Sequence, residues 1–313
     1  MSDATFSNPE ISPQASPPPT GHRIFQSQSL LFILLRVGMY IALSTGISFA
    51  VLRVAAALMP GAHSSYSPRV LTISETGSLA GALAAALIMS QLEGRRFGDY
   101  GLPARGAFGK LFWQGALFGL LEISAVIGFI AALGSYHFGP LAIHGMDLFR
   151  WATFWFALFV LVGLYEEFAF RGYVQFTLAQ AIHFWPAAVL LSVAFGLVHI
   201  TNRGESKLGV TGVMLAGLFW CFTLRRTGNL WFAVGMHASF DFGETFLYSV
   251  PDSGTVFEGH LSNATLAGPV WLTGGTVGPE ASVCDFVMIL ILFYVFHRLY
   301  PPRTQGFLER PSL

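Results

Sequence analysis

Long apolar stretches, rather than alternating or amphipathic patterns, organise this chain. A membrane-spanning helix needs roughly 20 apolar residues at a rise of about 1.5 Å each. Stretches that meet or approach this requirement lie near residues 30–52, 70–90, 111–133, 151–178, 184–200, 208–224, 229–248 and 282–299. The fourth is long for a single crossing, and the fifth and sixth are short. Glycines recur inside them, as expected where small residues let membrane helices approach closely. The pattern predicts an all-α polytopic membrane protein with about eight transmembrane helices, built as one domain over 29–300. Residues 1–28 include the run ISPQASPPPTG and cannot bury enough apolar surface to fold alone. A disordered polar N-terminal tail is expected there, and a short cytoplasmic tail over 301–313.

Composition strengthens this reading. Apolar residues make up 53% of the chain and charged residues 11%, against about 25% charged in an ordinary soluble domain. The mean hydropathy is +0.58. So few charges cannot cover a water-facing surface, so a lipid bilayer is the expected surrounding. The 17 Lys and Arg balance 17 Asp and Glu, so no nucleic-acid partner is expected. Cys221 and Cys284 sit in or beside apolar stretches and read as small apolar filler.

Orientation follows from the placement of Lys and Arg. With the N-terminus inside, Arg23, Arg95, Arg96, Arg105, Lys110, Arg225, Arg226, Arg298, Arg303 and Arg310 lie inside. Arg53, Arg69, Arg150, Arg203 and Lys207 lie outside, giving ten against five. Both termini are therefore expected inside, with an even number of crossings. The last outer loop, 249–281, carries no Lys or Arg and reads as an irregular external loop, with a lid or re-entrant element as the other reading.

Ionisable groups inside apolar spans cost at least about 2.5–3.5 kcal/mol each on insertion scales, so each needs an explanation. Glu166, Glu167 and Arg171 fall in the fourth stretch, His199 in the fifth, and His237, Asp241 and Glu244 in the seventh, while Glu122 stands apart in the third. Glu167 and Arg171 are spaced i,i+4 on one helix face and can pair. Glu166 points about 100° away, which leaves it free to act as a general base. Phe195 and His199 share a face, as do His237 and Asp241, the latter pair suiting metal ligation or polarisation of a carbonyl. Each feature alone also suits helix-packing glue. Together, acid and imidazole groups from three helices at similar depth point to a buried hydrolytic or proton-handling site.

The string Glu166-Glu167-Phe-Ala-Phe-Arg171-Gly172, then Phe195-x-x-x-His199, then His237-x-x-x-Asp241 resembles the three signature motifs of the CPBP family. These are CAAX prenyl endopeptidase and bacteriocin-processing (Abi) intramembrane proteases. The resemblance implies an eight-helix membrane protease domain over 29–300. It also implies that Glu166 activates the hydrolytic water with help from His199, that Glu167, Arg171 and Phe195 support the site, and that His237 and Asp241 stabilise the oxyanion. Type enzymes of the family remove a C-terminal tripeptide from prenylated proteins, and other members act in bacteriocin self-immunity. An ionised Asp241 would repel an oxyanion, so it is either protonated or a cation ligand. Glu166, His199, His237 and Asp241 together have the chemistry of a Zn²⁺ site that keeps a water, and a metal-free glutamate mechanism is the alternative.

The expected protein is thus an intramembrane endopeptidase in the plasma membrane of a prokaryote, acting on a peptide or a lipidated protein. A non-proteolytic peptide-binding, lipid-binding or immunity protein, and a proton-coupled transporter, are the competing readings. The sequence leaves the oligomeric state open.

Overall fold

A computed structural model describes residues 25–58, 67–202 and 204–302. Most of the expected N-terminal tail, most of the C-terminal tail and Arg203 lie outside the described residues. Each apolar stretch contains helix. In chain order these are α1 (Leu30–Leu58), α2 (Pro68–Glu93), α3 (Lys110–Ala132), α4 (Met146–Arg171), α5 (Tyr173–Ile182), α6 (Phe184–His199), α7 (Lys207–Thr227), α8 (Trp231–Phe242), the one-turn α9 (Val270–Thr273) and α10 (Val283–Leu299). Two-residue strands β1 (Tyr136–His137) and β2 (Thr265–Leu266) pair antiparallel. The fold is all-α.

Among the described residues, five segments are long and apolar enough to cross a membrane: α1, α2, α3, the α4–α5 segment over Met146–Ile182, and α7. Helices α6, α8 and α10 are shorter, at 16, 12 and 17 residues. Outward faces carry bare apolar side chains such as Leu31, Phe49, Trp113, Phe129 and Leu290. That surface suits lipid, not water, and the protein is an integral membrane protein.

The fourth stretch is not one helix. The chain breaks at Gly172, with φ −84° and ψ −122°, before α5 begins. A methyl group at Gly172 would collide with the carbonyl and ring of Phe168, so the break needs a residue without Cβ. The tight seam between α3 and α8 has the same origin. A methyl at Gly115 or Gly119 would overlap the carbonyls of Phe232 or Met236, and one at Gly235 would overlap that of Phe112. Backbones in this seam touch directly, which fixes the rotation of the helix bearing His237 and Asp241. Beyond Asp241 the helix widens into a π turn over Gly243–Leu247, a distortion common beside functional sites.

The connections segregate to two ends of the bundle. At one end Leu230 N–H donates to Gly101 O, Trp231 Nε1 to Pro103 O, and Arg226 to Tyr300 O. At the other, Tyr136 donates to Tyr248 O, Trp155 Nε1 to Glu258 O, and Ala267 N–H to Ser135 O. Loop 249–281 belongs to this second end, where it packs as a formed cap.

Candidate active site

Arg171 and Glu167, on successive turns of α4, form an ion pair at 3.3 Å with both side chains fully buried. The guanidinium also lies over the ring of Phe195, 4.2 Å from its centroid, and 5.3 Å from that of Trp220. Aromatic faces thus supply the negative potential that water would otherwise provide. Gly217 on α7 makes room, since a methyl there would collide with Arg171 Nη2.

Glu167 has a second partner. Its Oε1 lies 3.1 Å from Nδ1 of His237, so the carboxylate that holds Arg171 also orients the imidazole. An anionic partner makes Nδ1 the N–H donor, which turns Nε2 toward the other acids. Asp241 Oδ2 lies 3.4 Å from Nε2 and Glu166 Oε2 lies 3.7 Å from it. Trp220 stacks on the imidazole at 4.4 Å and 12°. The site is therefore a relay, Arg171–Glu167–His237, ending on Glu166 and Asp241. Glu166 does stand apart from the Glu167–Arg171 pair, but it faces His237 and is not an isolated carboxylate.

His199 comes from α6 and lies on the wall of the same cavity. Its Nδ1 is 2.7 Å from Phe195 O, and its ring stands edge-on to Phe195 at 4.7 Å. It forms no ion pair with Glu166 among the described residues. The cavity between these groups has a volume of about 300 Å³ and joins Glu166, His199, His237 and Asp241 into one lining.

Five lining groups that carry chemistry were missed by the sequence reading: Glu75, Trp220, Asp252, Glu280 and Asp285. Glu75, from α2, has a buried Oε2 without a partner. Trp220 is the plate between Arg171 and His237. Asp252, from loop 249–281, accepts a hydrogen bond from Thr245 at 2.9 Å. Burial pushes the Asp252 carboxyl up to about 6, against the opposing pull of that hydrogen bond and of the His237 and His199 rings. A Glu among the apolar residues of α2 was visible as a signal; an aromatic in α7 and an acid in a polar loop gave none. Glu122, expected to stand apart, lines the cavity, whereas Glu244 is fully buried outside its lining.

Among the described residues, no group of three or more His, Cys, Asp or Glu side chains is arranged to hold a metal ion. The expected zinc set does not fit as a cage in this arrangement.

Residues 148–243 match the family described as Rce1-like, type II CAAX prenyl endopeptidase Rce1-like. No curated protein and no solved structure matches the chain. The matched span runs from the first turn of α4 through the π turn's first residue and holds every motif residue. Over that span the chain is similar to CAAX-type intramembrane proteases.

Proposed function

We propose that the protein is an intramembrane endopeptidase that hydrolyses a peptide bond with water activated by Glu166. The observation that carries this reading is the presentation of His237 Nε2 to the cavity between Glu166 and Asp241. Glu166 takes a proton from the water, and the oxygen adds to the carbonyl carbon. The developing oxyanion accepts a hydrogen bond from Nε2–H of a protonated His237, whose charge the surrounding carboxylates balance. A protonated Asp241 is the second donor. Glu166 then delivers the proton to the departing amine as the C–N bond breaks, acting first as base and then as acid. His199, fixed by Phe195, positions water or substrate from the opposite wall.

A peptide or lipidated protein is the substrate class this chemistry suits. No step is routed through a metal. The test is peptide cleavage by detergent-purified protein, wild type against Glu166→Gln, with and without a strong chelator. Hydrolysis that survives the chelator and disappears in the Gln variant is expected. Hydrolysis that persists in the Gln variant overturns the assignment of the base.

A further inference from the structure

Five carboxyl groups outside the hydrolytic group also line the cavity: Glu75 from α2, Glu122 from α3, Asp285 from α10, and Asp252 and Glu280 from the loop cap. Asp252 and Glu280 are partly satisfied, by Thr245 and by the Ser253 backbone N–H at 2.8 Å. Glu122 and Asp285 are not. They are 4% and 3% exposed, neither side chain forms a hydrogen bond among the described residues, and Asp285 Oδ1 is buried without a partner. Two protonated carboxyls can satisfy each other, but no hydrogen bond joins this pair. No Lys or Arg is among the described lining residues, and the protonated His237 is already held by Glu167, Glu166 and Asp241.

A cavity so lined repels acidic groups and attracts a cation. Its acids do not converge as a metal cage among the described residues. Between them lie apolar surfaces from Val213, Ala216, Phe219 and Ile289. A long side chain with a methylene stem and a charged head matches this mixture, with its stem on the apolar wall and its head among the carboxylates. Phenyl faces add to the attraction for such a head. We propose that the cavity selects peptides carrying a lysine or arginine beside the hydrolysed bond, with Glu122 and Asp285 receiving the ammonium or guanidinium. This specificity rests on the endopeptidase reading and names its substrate class.

The test uses internally quenched peptides with acetylated N-termini and amidated C-termini, identical except for Lys, Arg, norleucine or Glu scanned on both sides of the bond. At one position Lys or Arg is expected to raise kcat/KM about tenfold or more over norleucine, the scale of one charge-assisted contact, with Glu the poorest. The Lys-to-norleucine ratio falls toward one in Asp285→Asn and in Glu122→Gln. Binding of the same peptides to full-length Glu166→Gln protein, read by fluorescence anisotropy, separates the two ideas. Selective binding of Lys and Arg peptides without wild-type cleavage upholds the cation site and removes the hydrolysis. Cleavage and binding indifferent to charge, or a preference for Glu, overturn the cation site and leave the hydrolysis standing.

Discussion

At the scale of residues, the buried charges were legible because each is expensive in an apolar span. Their spacing gave the Glu167–Arg171 pair correctly. It gave only part of what Glu167 does, since contact with His237 lies between helices and periodicity speaks only within one. Truncating Arg171 strands a fully buried Glu167 and removes the clamp on the imidazole. Arg171→Ala is expected to cost about 3–5 kcal/mol, read as lost yield and melting temperature in detergent. Glu166→Gln, partly exposed to the cavity, is expected to keep both near wild type. Asp241 distinguishes mechanisms. If it donates a hydrogen bond to the oxyanion, Asn substitutes for it because an amide also donates. Asp241→Asn should keep activity within about tenfold, whereas Asp241→Ala should lose about 10²–10³-fold, as for a missing oxyanion donor. An Asn variant as inactive as the Ala variant would rule out hydrogen-bond donation.

At the scale of elements, all the apolar stretches hold helices, because hydrophobic run length is a direct consequence of bilayer thickness. The break at Gly172 was hidden. Apolar residues continue through α5, so hydropathy sees one stretch where the backbone turns. At the break, a Cβ on residue 172 would collide with Phe168, a requirement for glycine that hydropathy does not encode. The α3–α8 seam carries its own expectation. Gly119→Val would drive a branched side chain into the Met236 carbonyl and the Ser239 hydroxyl, on either side of His237 in the chain. The helices must separate, so thermal stability and activity should fall together, while Gly128→Val, which meets nothing within 4 Å, leaves both unchanged. Equal effects at the two positions would mean that the seam does not set the site.

At the scale of the whole molecule, the described connections gather at two ends, and the charge pattern predicts which end lies inside. The end holding Arg95, Arg96, Arg105, Arg225, Arg226 and Arg298 is the more basic, and positive charge marks the cytoplasmic side. The cavity belongs to the other end. It is lined by Leu71 and Glu75 near the start of α2, Asn202 just past α6, Asp241 in the last turn of α8 and Asp285 in the first turn of α10, closed by the loop cap. Loop 249–281, expected to be an irregular external loop, forms part of the site through Asp252 and Glu280. The charge pattern, with the basic end inside, therefore predicts that substrate enters from the non-cytoplasmic side. Single cysteines at Arg105 and Thr265, both exposed, report the two ends on a background lacking Cys221 and Cys284. A membrane-impermeant thiol reagent applied to intact cells should label position 265 and spare position 105 until the membrane is opened. Labelling of 105 alone would invert the molecule and place the cavity toward the cytoplasm. Labelling of both from one side would break the two-ended topology itself.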